Sequence, residues 1–586
     1  MVQKVFRKMT ATQIVSAVTV TVCLLIDSVI IGRYLGVEAM SAYGLANPVL
    51  IIFNALGTMT ACGVQVYLGK AMGKGDQEDC RRCFSASILM SLVIAFAWLF
   101  VVFAASNPLC ILLGAGSIEP GNQVAAMTAD YLKGYMLGAP FYFLSQIMVP
   151  YLQSMGKRKL TIASVAVMSV ADILLDIIFV TVFKMGMFGI GLASGLSYLL
   201  AALTALGFFL KKDCIFKLEP KNINLKAVGE IIYGGNPVVV NQAFFMIRVY
   251  VLNQILLAVS GPVAIAALSV ISTIGNIFFS VGLGSGSITL MLASIFYSEE
   301  DRSSIYELIH IMIRFSLRLI LISVAIVHLF APAIINLFFA GEAEVTEIAV
   351  PGLRIYMLSM VACVLTTVFK NYYQGTRHMR FTNMISFFDN VALLLPIVWL
   401  FSRIMGLRGV WIGILIAQFA SLLFISAVVW KNYGKVSFSR EAYSMLKEDF
   451  GAKSSDVLEM SISDMNTAIK ASEDIRQFCL SKGLSDRIST QLSLCVEEIV
   501  ANTITHGFTQ DDHEHNADVR LIVDEDKCVI RIRDNCIGFD PTNYFELHKS
   551  DSPTDHIGIR MVMKMVNEID YINSLGLNNL YMSINR

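Results

Sequence analysis

Over residues 1 to about 430 the chain alternates long apolar runs with short polar turns. Each run reaches roughly 20 residues, the length a helix needs to cross a bilayer. The runs begin near residues 10, 43, 84, 124, 161, 188, 228, 263, 307, 344, 383 and 408, which predicts a polytopic α-helical membrane domain of about 12 transmembrane helices. Past about residue 435 the long runs stop and shorter periods take over. Residues 488–506 repeat with helical period and bring Glu498 and Asn502, four apart, onto one face. Residues 519–523 and 528–533 alternate as strands, the second ending at Asp534, and Gly558 opens a further helix. The order helix, helix, strands, loop, helix, strand from about residue 455 predicts a C-terminal α/β-sandwich domain.

The membrane part repeats itself. A shift of 225 lays Gly36-Val-Glu-Ala-Met-Ser-Ala on Gly261-Pro-Val-Ala-Ile-Ala-Ala, and a shift of 220 lays Gly186-Met-Phe-Gly189 on Gly406-Leu-Arg-Gly409. Two six-helix pseudo-symmetric halves follow, residues 1–215 and 216–433, then a polar linker over 434–454 and the soluble domain over 455–586. Paired repeats of this kind rock around a central cavity in secondary transporters.

Charge orients the chain. Lys4, Arg7 and Lys8, then Lys70, Lys74, Arg81 and Arg82, then Lys157, Arg158 and Lys159 fall in alternate loops, as do Lys211, Lys212 and Lys217, Arg377 and Arg380, and Lys431 and Lys435. The opposite loops are poor in positive charge, and one carries Glu342, Glu344 and Glu347. The positive-inside rule then puts both termini in the cytoplasm of a plasma-membrane protein, and the first run lacks a cleavage site for a signal peptide. The 45 basic and 45 acidic residues balance, with no basic face for a nucleic acid. The 11 cysteines are scattered without metal or disulfide spacing and read as small apolar fillers.

A charge at mid-bilayer costs about 3 kcal/mol on insertion scales. Against that cost stand Asp27 in the first run and Asp172 and Asp176 in the fifth, the last two sharing one helical face. They are expected to face a cavity, where they would take up a proton or bind Na⁺, or else to brace helices through hydroxyl or backbone partners. Gln65, Asn241, Gln242, Arg248 and Asn253 either line the central cavity or hydrogen-bond between helices. The 28 Met and 36 Phe suit a promiscuous apolar pocket, although most are ordinary core or lipid-facing residues.

The stretch Leu25-Ile-Asp27-Ser-Val-Ile-Ile-Gly32-Arg-Tyr-Leu-Gly36, with Gly44-Leu-Ala-Asn-Pro48, Gly69-Lys-Ala-Met-Gly-Lys-Gly-Asp76 and Asp172-Ile-Leu-Leu-Asp176, resembles the multidrug and toxic compound extrusion (MATE) transporters over roughly residues 5–432. The resemblance implies antiport of small organic, cationic or amphipathic compounds against H⁺ or Na⁺. In the branch with its cation site in the first half, it implies that Asp27, Asp172, Asp176 and Ser194 couple the ion, with Asp172 standing where the family usually has Asn. The second half has Leu252 beside Asn253 at the position matching Asp27, which favours a first-half site.

The soluble part resembles the Bergerat-fold (GHKL) ATPases, and Phe539-Asp-Pro541 is most similar to the anti-sigma-factor serine kinases. That resemblance implies Mg-ATP as cofactor: Asn502 would coordinate Mg²⁺, Glu498 would position or deprotonate the attacking group, and Asp534 would accept the adenine amino hydrogen. Gly538 and Gly558 would allow the backbone close to phosphate. Cys536 and His556 stand where that family has glycines, so binding and phosphoryl transfer are expected to be weak, or lost. The run His506 to His515, with Asp511, Asp512 and His513, reads as a solvated loop or a metal site. No Gly-x-x-x-x-Gly-Lys-Ser/Thr loop exists to power a pump. The combined reading is an exporter whose cytoplasmic domain regulates it, is serine-kinase-like, or meets a cytoplasmic regulatory protein. The rivals are a lipid-linked glycan flippase of the same superfamily, which would need a cationic cavity, and a membrane-tethered kinase or signalling receptor whose spans no longer transport.

Overall fold

The computed structural model describes residues 2–119, 121–210, 214–219, 224–338, 343–508, 514–547 and 557–586. Among them, 10 helical stretches are long and apolar enough to cross a membrane. One, Met379–Tyr433, is broken at Gly406, where φ is 59°, and makes two crossings. The helices Gln123–Leu137 and Ala139–Ser154, joined at Gly138, make a further one. In chain order, spans 1 to 3 are Val2–Leu35, Glu38–Lys74 and Gln77–Ala104. Span 4 is the joined pair, and spans 5 and 6 are Arg158–Val182 and Gly186–Phe209. Spans 7 to 10 are Leu225–Gly261, Ala267–Ser298, Arg302–Asn336 and Thr346–Gly375, and spans 11 and 12 are the arms of Met379–Tyr433.

The sequence repeat is visible in the backbone. Gly36 and Gly261, aligned by the first shift, have φ of 86° and 68°, and Gly186 and Gly406, aligned by the second, both have 59°. Only glycine takes such angles cheaply, so the same residue recurs where the same break recurs.

Core packing differs between the two ends of this domain. At the end facing the soluble domain one apolar cluster draws on both halves, including Leu68, Tyr151 and Phe209 from the first and Ile288, Ile309 and Tyr372 from the second. A Cβ at Gly69 or Gly73 of span 2 would strike Ser294 or Ile295 of span 8, so the halves are pressed together there. At the other end each half keeps its own core. One is built around Ile31, Phe53 and Tyr142, and the other around Leu256, Ile320 and Trp411. The halves are therefore sealed on the side of the soluble domain.

The segment after span 12 is not a free tether. Helix Arg440–Ser444 is short, and its Tyr443 and Ser444 are buried, their carbonyls accepting from Tyr373 and Tyr372 of span 10, each at 3.0 Å.

The soluble domain is a five-stranded antiparallel sheet in the order β1-β2-β3-β5-β4: Val457–Ile462, Ala517–Val523, Lys527–Asp534, Leu577–Asn585 and Glu568–Ser574. Helices Met465–Ser481, Asp486–Asn502 and Ile557–Met565 cover one face, burying Val519, Leu521, Ile530, Ile532, Leu580 and Met582 with Leu492, Val496 and Val562. Alternation sends Arg520, Arg531 and Arg533 to the other face. The strand pattern of β2 and β3 follows the sequence expectation. Strand β1 and the pairing of β4 with β5 were not anticipated, because β1 is an edge strand with only Ile462 fully buried and carries little alternation.

Candidate functional site

The first site lies in the first half. Asp27 of span 1 is 5% exposed, Asp172 of span 5 is 8% exposed and Asp176 is 0% exposed. The one-turn spacing of Asp172 and Asp176 aims both at span 1, as the helical face requires. Cys23, one turn before Asp27, donates its thiol to Asp172 Oδ2 at 3.3 Å. Ligand atoms of Cys23, Asp27 and Asp172 lie within 4.8 Å of one another, and Oδ1 of Asp27 and of Asp172 has no hydrogen-bond partner among the described residues. Ser194 of span 6 is buried close by, its carbonyl accepting from Ser197 at 2.8 Å. The tyrosines Tyr43 and Tyr131, with ring centroids 5.4 Å apart, and then Tyr135 and Tyr198 wall the site. Sequence reasoning brought the three acids and Ser194 together but missed Cys23 and this aromatic wall. Among the described residues no basic side chain pairs with these buried carboxylates, and such a group is stabilised by taking up a proton or a small cation.

The second half holds a polar nest that sequence reasoning met only at Asn241. Lys370 of span 10 pairs with Asp389 of span 11 at 3.5 Å and donates to Asn241 Oδ1 of span 7 at 3.1 Å. Gln65, also singled out in the sequence, donates to Gln153 and to Ser287 at 3.3 and 3.1 Å, bridging the halves. Leu252, at the repeat position of Asp27, is buried among apolar side chains.

In the soluble domain Glu498 and Asn502 lie on helix Asp486–Asn502 and are linked by Asn502 Nδ2 donating to Glu498 Oε1 at 3.0 Å. Asp534 ends β3, and its Oδ1 accepts from Asn578 Nδ2 at 2.7 Å and from the Cys536 amide at 3.0 Å. Burial pushes the Asp534 carboxyl above its ordinary range, outweighing those two hydrogen bonds. Gly538 stands beside Tyr571 and Asn578, on the same floor as Asp534. At Gly558 a Cβ would run into the Glu498 carboxylate, so helix Ile557–Met565 approaches Glu498 only because residue 558 is glycine. Cys536 fills the family's glycine position by packing its sulfur on Gly507. The arrangement gathers Glu498, Asn502 and Gly558 at one place and Asp534 and Gly538 at another, as two ends of a nucleotide cleft require. His556, Asp511, Asp512 and His513 lie outside the described residues. His515 is buried against Phe508, with ring centroids 5.6 Å apart, which is a packing role.

The open face of the sheet sits on the membrane domain. Arg533 and Arg520 form short ion pairs with Glu299 and Asp301, in the turn between spans 8 and 9. Burial alone would raise the Asp301 carboxyl, but Arg520 and Arg533 hold it down at about 2. Ser303 donates to Glu459 at 2.8 Å, and Arg533 lies over the Phe296 ring at 5.5 Å. The β4–β5 hairpin reaches the other half: the Leu575 amide donates to the Ser154 carbonyl, and Gln77 donates to the Tyr571 carbonyl at 2.8 Å.

These features match known proteins part by part. The MatE family model matches residues 13–178 and 237–400, and the histidine kinase-like ATPase domain model matches residues 463–584. Multidrug export protein MepA of Staphylococcus saprophyticus is 23% identical over 395 residues, which is 67% of this chain and 85% of that protein. Its namesake in Staphylococcus aureus strain COL is 24% identical over the same shares. Among solved structures, an outward-facing multidrug resistance MATE family transporter superposes with a TM-score of 0.69 at 20% identity, covering 76% of this chain and 97% of that one. A transporter of the wider superfamily from Pyrococcus furiosus superposes with a TM-score of 0.67 at 21% identity, covering 72% and 94%. With more than half its length matched by one family model, the chain belongs to the MatE family of transporters and carries a C-terminal histidine kinase-like ATPase domain.

Proposed function

We infer that this protein is an antiporter that exports small organic compounds, cationic or amphipathic, across the plasma membrane while H⁺ or Na⁺ flows the other way. The lysines and arginines of alternate loops support a cytoplasmic position for both termini and the ATPase domain. The observation that carries the reading is the buried group of Asp27, Asp172 and Asp176 in one half alone. A small cation bound there and shed as the halves rock supplies the driving force without ATP. The multidrug export names of the relatives support the substrate class. Domain boundaries at residues 215, 433 and 454 fit this division of labour.

The ATPase domain regulates. Its hairpin holds the first half at Ser154 and Gln77 while its arginines hold the second at Glu299 and Asp301. In this reading Asn502 would hold the Mg²⁺ of a bound Mg-ATP, Glu498 would position the attacking group, Asp534 would accept the adenine amino hydrogen, and Gly538 and Gly558 would give the backbone room.

The test is gradient-driven export from proteoliposomes. Asp27→Asn or Asp176→Asn keeps the side-chain size and removes the charge, and each should cut coupled export by at least about tenfold with normal insertion. Export by both variants at the native rate under an imposed H⁺ or Na⁺ gradient overturns the assignment.

A further inference from the structure

The outer surface of the sealed end carries positive charge without a counter-charge. A groove of about 80 Å³ lies between span 1 of the first half and span 9 of the second, lined by Gln3 and Arg7 on one side and by His310, Arg314, Phe315 and Arg318 on the other. His310, Arg314 and Arg318 follow at four-residue steps, so span 9 turns one cationic stripe to the groove. Arg440, which opens the short helix after span 12, adds its field at His310. Arg7, Arg314 and Arg318 are exposed, and none of them pairs with a carboxylate or donates a hydrogen bond among the described residues. Like charges from the two halves thus face one another with nothing between them.

Depth in the bilayer decides what reaches the groove. From Leu319 to Phe338 span 9 runs without Asp, Glu, Lys or Arg, about the 20 residues that cross the hydrocarbon core, and span 1 does the same from Met9 to Ile26. Arg318 and Arg7 therefore stand where the hydrocarbon ends, with Arg314 one turn further out among the headgroups. Below them the two helices show apolar side chains to the lipid: Leu321 and Ile322 one turn past Arg318 and Val15 two turns past Arg7, each about half exposed. Phe6 and Phe315, edge to face with centroids 5.8 Å apart, back the groove and join the spans.

We propose that this groove holds the headgroup of an anionic phospholipid from the leaflet on the side of the soluble domain, and that the lipid bridges the two halves there. Its phosphate takes the guanidinium groups of Arg7 and Arg314, which match phosphate oxygens in forked pairs, and Arg318 takes the glycerol-ester end. Its acyl chains run down past Leu321, Ile322 and Val15. A soluble anion gains nothing from that apolar surface, and a zwitterionic lipid brings its own cation into a site that already has three. Bound lipid replaces repulsion between the halves with attraction to one phosphate, so it favours the sealed state.

The full chain, stripped of lipid in a neutral detergent, is titrated with phosphatidylglycerol or with phosphatidylcholine of the same acyl chains while mass spectrometry of the intact complex counts bound lipid. The first phosphatidylglycerol should bind at least about tenfold more tightly than phosphatidylcholine. Arg7→Gln combined with Arg318→Gln should bring the two lipids to parity, whereas Lys159→Gln, in another basic loop on the same side, should leave the preference unchanged. Phosphatidylglycerol should also raise the thermal midpoint of the native protein and not that of the double variant, because only the native protein has its halves tied. If the double variant fails to fold, Arg7→Gln and Arg318→Gln are read singly, each with a several-fold loss. Equal binding of both lipids by the native protein, the same loss in Lys159→Gln, or displacement of the lipid by inorganic phosphate at equal concentration overturns the proposal. Neither the coupling ion nor the exported compound enters these measurements, so their failure leaves the transport reading untouched.

Discussion

At the scale of single residues, the same carboxylate does three jobs set by its surroundings. Asp27 is buried with its Oδ1 unpartnered among the described residues, Asp301 is buried between arginines and holds a surface down, and Asp534 is buried against an amide and a backbone N–H. The last has a consequence for pH. An adenine amino hydrogen needs an ionised acceptor, and a carboxyl pushed above its ordinary range protonates earlier as the solution is acidified. Affinity for a fluorescent ATP analogue should therefore decline from pH 8 toward pH 5, beginning above the usual carboxylate range. Asp534→Asn should bind weakly and show no such decline, and a native profile flat over that interval would remove Asp534 from the cleft. Asn502→Ala should weaken Mg-dependent binding by about tenfold, because Mg²⁺ demands near-ideal oxygen geometry, and should leave gradient-driven export intact. Gly558→Ala places a methyl group against Glu498 and should destabilise the ATPase domain by about 1–3 kcal/mol, read as a lowered first transition in a thermal melt.

At the scale of elements, the π segments lie beside the polar residues of the spans and of the candidate nucleotide site. Ile31–Leu35 follows Asp27, Ile178–Val182 follows Asp176, Phe388–Ala392 contains Asp389, and Thr503–Gly507 follows Asn502. Each inserts a wide turn beside a buried or candidate site residue, where carbonyls leave the regular ladder and the helix can bend. The orientation of the spans is open to a direct check. In a background freed of accessible thiols, Lys157→Cys should be protected from an impermeant thiol reagent in intact cells and Glu347→Cys should be labelled; the reverse pattern would put the ATPase domain outside. Much of this level was legible in the sequence. Charges inside apolar runs are costly enough to stand out, which exposed Asp27, Asp172 and Asp176, and breaks that only glycine tolerates exposed the repeat through Gly36, Gly186, Gly261 and Gly406. Lys370 lies near the end of span 10, where a lone charge is cheap, while Asp389 lies well inside span 11 and obeyed the same rule unnoticed; their pairing across spans explains how both are tolerated. Arg520, Arg531 and Arg533 sit at alternating strand positions and read as a solvated face, since nothing local says that Glu299 and Asp301, more than 200 residues earlier, cover it.

At the scale of the whole molecule, the membrane domain is sealed at one end and the ATPase domain sits on the seal. One apolar cluster runs through both halves and takes in Tyr443 of the connecting segment and Ile572 and Leu575 of the β4–β5 hairpin. Opening that end separates the halves, and separation must break either the hairpin contacts or the arginine contacts, because the sheet joining them is rigid. The docked domain therefore favours the sealed state by the free energy of whichever contact is weaker. Asp301 keeps its charge well below neutral pH, its depressed value meaning that its pairing with Arg520 and Arg533 is lost only as pH falls toward about 2. The contact is thus insensitive to pH in the working range. Arg533→Glu should release the second half and raise the rate of gradient-driven export several-fold, as should a chain ending at Phe450, which keeps the buried Tyr443 and Ser444. Glu299→Arg combined with Arg533→Glu should return the rate toward native, since it restores opposite charges across the same contact. Equal rates in the native, Arg533→Glu and shortened proteins would mean that docking does not restrain the gate. An inert but correctly inserted shortened protein would make the ATPase domain part of the engine rather than its brake.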